Sequence, residues 1–314
     1  MTGKQVMKEQ GMATRAGWMF AVLLGACAPS ASNDAAVNDV PSVNSEASVP
    51  VDAPSTGSPL TLRFAAKVGA TAFDCARTYP MLGTGNSTWT PKDFRFYVHD
   101  VRLVTATGDV PFAISTAGAF QGSGMALLDF ENRAGACTGG TVDTNNVITG
   151  TTTATGIQGI KFRVGVPFEM NHRNPSGAAA PMNVSSMWWT WNAGYRFIRI
   201  EGNTVGRPMG YNIHLGSTGC SGNAAGPMNP CPNPNILDVT IMNFDPARDQ
   251  IVADLATLVS MANLETNASM SAPGCMSDVD DMDCQSIFNG LGLPYAGAGG
   301  GMQRFFRIEP AAGR

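Results

Sequence analysis

His99, His172 and His214 are the only imidazoles in 314 residues, and each has a distinctive setting: FYVHDV, FEMNHRNP and YNIHLGSTGC. Neutral imidazole is a general metal ligand, and thioether sulfur adds soft character. There are 17 methionines; Met170 lies two residues before His172, and Met187 directly precedes a run of indoles, SMWWTWNAGYRF. Imidazole and soft sulfur together suit copper, above all Cu(I). The plainer alternative is packing, with histidine satisfied in a core and methionine as filler.

The indole run places Trp188, Trp189 and Trp191 within four positions, although the chain has only five tryptophans. On a strand, Trp189 and Trp191 share one face and Trp188 takes the other. Such a cluster can fill a core, form an aromatic platform for a glycan, or be oxidised by a high-potential partner. Native indole is a poor metal ligand because its N–H only donates. Ring opening to kynurenine changes this, since it frees an aryl amine whose lone pair can bind a soft metal. No G-x-S-x-G, P-loop or H-E-x-x-H occurs, so no standard enzyme signature is present. The carboxylates of DVDDMD (278–283) lack the glycine and distal glutamate of an EF-hand, and read as a solvated disulfide loop.

These residues need a frame, and the period is mostly two. Segments 60–68, 94–104, 126–131, 159–168, 195–202, 211–216, 236–244 and 304–310 read as strands. All three histidines fall in strands or at strand edges. Gly 36 and Pro 20 supply turns between them. Asp249 to Asn263 has helical spacing and is expected to be a helix. The expected fold is all-β, an antiparallel β-sandwich or barrel with long disulfide-stapled loops and one short helix.

Lys4, Lys8 and Arg15 precede an apolar run from Ala16 to Ala26 that ends at Cys27. This is the grammar of a signal peptide over 1–26, too short for a spanning helix. Its LGAC ending resembles a bacterial lipoprotein signal with Cys27 as the lipidated residue. Residues 27–58 hold no aromatic residue and read as a flexible tether, leaving 59–314 as one domain. Its six cysteines in an oxidising compartment imply disulfides. Cys220–Cys231 and Cys275–Cys284 read as local staples, which leaves Cys75–Cys137. Net charge is −4 with no Lys/Arg cluster, which argues against nucleic acid.

In order, FRFYVHDVRLV, MALLDFE, VGVPFEMNH, SMWWTWNAGYRF and YNIHLGSTGC resemble the MbnP-like family, the copper-binding proteins of the metallo-mystery pairs. The resemblance implies a secreted β-rich domain, not an enzyme, that binds one Cu(I). It also implies a separately encoded MauG-like di-haem cytochrome c peroxidase that oxidises the first tryptophan of W-x-W to kynurenine. Here that residue is Trp189, since Trp189 has its i+2 partner in Trp191. His99, His172 and His214 are the candidate ligands beside the kynurenine, with Trp191, Met187 and Met170 in support. The family is commonly described with four cysteines; this domain has six. The expected location is the periplasm, outer membrane or cell surface, with membrane contact only through the lipid anchor. The competing expectations are a glycan-binding module built on Trp188, Trp189 and Trp191, and a purely structural envelope lipoprotein.

Overall fold

The computed structural model describes residues 57–190, 192–207, 209–223 and 226–311. The signal segment, Cys27, nearly all of the tether and Trp191 lie outside these residues. Among the described residues, no helix is long and apolar enough to cross a membrane.

The strand Ser87–Thr105 organises the fold. Its first half pairs antiparallel with Ile198–Thr204 on one edge and with Met125–Asp129 on the other. Its second half pairs with Gly108–Ile114 and with Gly159–Val164, which in turn carries Leu237–Met242. Beyond these, Tyr211–Leu215 extends one wing, while Val147–Thr152, Ser58–Val68, Asp249–Asp254 and Phe306–Pro310 extend the other. The result is a curled, mostly antiparallel sheet closed by loops, as the period-two pattern requires. Among the described residues two pairings are parallel: Ser58–Val68 with Asp249–Asp254, and Tyr211–Leu215 with Gly274–Cys275. All three expected disulfides, Cys75–Cys137, Cys220–Cys231 and Cys275–Cys284, are formed.

Alternation along the organising strand explains its two faces. Phe94, Phe96 and Val98 point into the core, where Phe94 and Phe96 meet Phe64, Phe130, Phe305 and Phe306 at centroid separations of 5.5–6.4 Å. Each buried phenylalanine contributes roughly 1.5–3 kcal/mol. The opposite face carries Asp93, Arg95, Tyr97 and His99, and it is buried as well. A charged row can be buried only if its members pair, and this row becomes the wall of the site.

Two expectations about elements are corrected. Asp249–Asn263 is not one helix: Asp249–Asp254 is a strand between Ser58–Val68 and Phe306–Pro310, and only Leu255–Leu258 turns helical. Ile251, Val252 and Ala253 are fully buried, so pairing on both edges outweighs local helical spacing. The DVDDMD segment is not merely a loop, because Met282–Leu291 is a helix. Asp281 caps it by accepting from Asp283 N, and Gly292 ends it at φ 76°.

Candidate metal centre

The site is built from three adjacent strands. In register, Arg95 faces Arg199 and Arg199 faces His214, while Asp93 faces Glu201. Between the first two strands arginine faces arginine and carboxylate faces carboxylate, while opposite charges alternate along each strand, so the ion pairs run along the strands and on the diagonal. Arg95 grips Asp93 through two nitrogens. Arg199 Nε lies 3.2 Å from Asp93 Oδ2 and 2.7 Å from Glu201 Oε1, and Glu201 Oε1 lies 2.7 Å from His214 Nε2. Burial pushes the Glu201 carboxyl up, but hydrogen bonds from His214 and Arg199 outweigh it and hold Glu201 well below the usual carboxylate range. Burial pushes His214 down despite Glu201. His214 is therefore a neutral imidazole that donates Nε2–H to a carboxylate. Its Nδ1 must then carry the lone pair, and Nδ1 is buried with no hydrogen-bond partner. A carboxylate behind one ring nitrogen and an open lone pair on the other is the arrangement used by metal-ligating histidines.

Trp189 sits against this imidazole, with ring centroids 5.9 Å apart and planes inclined by 59°. The Arg196 guanidinium carbon lies over the same indole, 5.0 Å from the centroid, a cation–π geometry. Burial, then the neighbouring charge of Arg199, pushes Arg196 down to about 10. Arg196 Nη1 donates to Ser186 O and Trp188 O, and Arg199 Nη1 also donates to Ser186 O. The charged row thus holds the indole run by its backbone. Trp188 packs on the hydrophobic core, consistent with opposite facing of Trp188 and Trp189. Both indoles are half-buried, and Trp189 is flanked by Arg196 and His214 rather than laid open as a platform.

Two glycines in the motifs have steric reasons. A Cβ on Gly216 would lie 2.5 Å from the Trp189 ring and 2.9 Å from Tyr195 O. A Cβ on Gly194 (φ 73°) would lie 2.4 Å from Asn171 Oδ1. Asn171 accepts from Tyr195 N at 2.7 Å and donates to Ser217 Oγ at 3.2 Å, so the NH, GY and HLGS motifs are knotted together at one residue.

His172, expected in a strand or at a strand edge, follows Asn171 at the end of a helical turn, eight residues past the strand's end at Val164. The strand ends at Val164, Gly165 follows at φ 148°, Pro167 caps a helical turn over Phe168–Asn171, and His172 closes that turn. His172 Nε2 lies 3.3 Å from Asn171 Nδ2 and 3.6 Å from Cys231 Sγ. His99 stays on the organising strand, where its Nδ1 donates to Gly165 O at 3.1 Å. Among the described residues, no hydrogen bond or ring contact joins His99 to Trp189, His172 or His214. The structure therefore brings Trp189 and His214 into contact, links His172 through Asn171 to Tyr195 and Ser217 in the neighbouring motifs, and ties His99 to Gly165 instead. Met187 is fully buried in the core. Met170 is half-buried and lines a cavity of about 340 Å³ with Met182 and Arg173. Asp93, Arg95, Asn171, Arg196, Arg199 and Glu201 were not singled out from sequence. The alternation in DFRFY and IRIEG carried a signal for four of these, since charges recur at every second position.

The family model MbnP matches residues 57–277. The solved structure of MbnP from Methylosinus trichosporium has 30% sequence identity to this chain and a TM-score of 0.73, with 82% of this chain and 100% of that chain covered. No curated protein matches the sequence significantly. The motif order, the curled sheet and these matches agree: the chain belongs to the MbnP family.

Proposed function

We propose that this MbnP-family member is an exported, lipid-anchored Cu(I)-binding protein rather than an enzyme. Its site is completed when a MauG-like di-haem peroxidase oxidises Trp189 to kynurenine. The observation that carries the reading is the buried, unpartnered Nδ1 of neutral His214 beside the Trp189 ring. His214 Nδ1 and the aryl amine derived from Trp189 would hold the metal, with His172 as the nearest further imidazole. These nitrogen donors fit a borderline-to-soft cation better than a hard one. Bound copper would supply soft Lewis acidity or a store of exchangeable metal. The protein's part is to fix the His214 tautomer through Glu201, to hold Trp189 between Arg196 and Gly216, and to shield the site from water.

The test is Cu(I) competition against a chromophoric chelator, using protein matured with its partner. His214→Ala is expected to abolish the tight site, whereas His99→Ala leaves it intact. Equal loss in both variants, or no loss with His214→Ala, overturns this assignment.

A further inference from the structure

The three disulfides differ in exposure. Cys75, Cys137, Cys275 and Cys284 are each at most 2% exposed. Cys231 is 7% exposed and Cys220 is half-buried, so Cys220–Cys231 is the least buried of the three pairs. It is also the pair with an imidazole against it, since His172 Nε2 lies 3.6 Å from Cys231 Sγ. One donor atom each from His172, Cys220 and Cys231 all fall within 4.8 Å of one another.

That spacing carries chemical meaning. A metal with M–S near about 2.3 Å and M–N near about 2.0–2.1 Å separates its sulfur and nitrogen ligands by about 3.6 Å at the tetrahedral angle. Cys231 and His172 already stand at this separation. Two thiolates on the same ion sit about 3.8 Å apart, close to the distance that two sulfurs adopt once the covalent bond is gone.

We propose that Cys220–Cys231 is a redox-gated site: reduction by a dithiol converts it, with His172, into a Cys₂His site for a thiophilic d¹⁰ ion such as Cu(I) or Zn²⁺. A dithiol reductant attacks one sulfur and its second thiol resolves the mixed disulfide. The S–S bond breaks, two cysteine thiols form, and the reductant leaves as its own disulfide, so two electrons and two protons pass to the protein. Metal binding then replaces the two thiol protons, which are released to water. In the oxidised protein the sulfurs are weak donors and the site is closed. The site shares His172 with the copper site proposed above but needs neither modified Trp189 nor His214, so a variant that cannot form kynurenine tests it separately.

The test uses the full chain carrying Trp189→Phe, which cannot form kynurenine. It compares the protein before and after mild dithiol treatment with the reductant removed anaerobically. Cd²⁺ is the probe, read by thiolate-to-metal charge-transfer absorption and by alkylation mapping of each cysteine. The reduced protein is expected to bind one equivalent of Cd²⁺ with the charge-transfer band, and the oxidised protein to show none. Cys220 and Cys231 should be alkylated at least about tenfold more slowly with Cd²⁺ than without. Adding His172→Ala should weaken binding by about 10- to 100-fold. The proposal is overturned if Cys220–Cys231 resists reduction while the protein stays folded, or if Cd²⁺ leaves the alkylation of both cysteines unchanged. It is also overturned if His172→Ala binds as tightly as its parent. Because the mapping is done on a protein with all its cysteines, the result does not depend on a cysteine variant folding.

Discussion

At the scale of single residues, the account rests on which nitrogen of His214 carries the proton. Glu201 sets this, and its own charge is held by Arg199. Glu201→Gln keeps the volume but removes the carboxylate. It should weaken Cu(I) binding in the matured protein by about 10- to 100-fold without preventing oxidation of Trp189. Chelator competition measures the first outcome and peptide mass the second. Gly216→Ala acts from the other side, because its Cβ must push into the indole or the Tyr195 carbonyl. A cost of roughly 1–3 kcal/mol in unfolding free energy is expected, together with a lower yield of modified Trp189. These two residues also show what the sequence could and could not reveal. HLGSTGC marked Gly216 as part of a motif, and W-x-W marked Trp189, but nothing local said that one cradles the other. Contact across strands far apart in the chain is decided by register, which a motif does not encode.

At the scale of elements, the row of strands that bears the charges pays a stability cost at Asp129. Its carboxyl is nearly fully buried across from Arg95, and burial pushes it up to about 7 although Arg95 draws it down. The folded protein therefore binds a proton here between about pH 3.8 and 7, where the unfolded chain does not. Stability from this group is full at the acid end of that window and is lost as pH rises through about 7. Asp129→Asn removes the loss, so its melting temperature should exceed the parent's by more at pH 8 than at pH 5, as scanning calorimetry would show. A difference independent of pH would contradict the assignment. The strands themselves were largely legible, because Phe94, Phe96, Ile198, Ile200, Tyr211 and Ile213 alternate with polar neighbours. The failures have physical causes. Asp249–Asp254 is buried on both edges and lacks alternation, so its apolar run imitates a helix. His172 lies beyond the strand's end at Val164, after a helical turn capped by Pro167, and sequence period alone did not show that turn.

At the scale of the whole molecule, the domain extends beyond the matched family region. The family match ends at 277, yet Phe305 and Phe306 lie in the central aromatic cluster and Phe306–Pro310 pairs with Asp249–Asp254. Cys284 lies further along the chain than that limit and is joined to Cys275. Truncation after Gly300 removes two buried phenylalanines, each worth roughly 3–5 kcal/mol when reduced to alanine. The shortened protein should show no cooperative thermal transition; a normal transition would mean that the closing strand is dispensable. The family, the β-class and the disulfide pairs were readable from motifs and spacing. The charged wall behind His214 emerges only when three strands are laid side by side.

The most direct measurement combines intact mass with metal analysis of protein co-expressed with and without the proposed di-haem partner. The account predicts that the partner converts Trp189, with loss of the indole C2 carbon and gain of an oxygen, and that only this form retains one equivalent of copper. Full copper occupancy with Trp189 unmodified, or a modified Trp189 without copper, would contradict it.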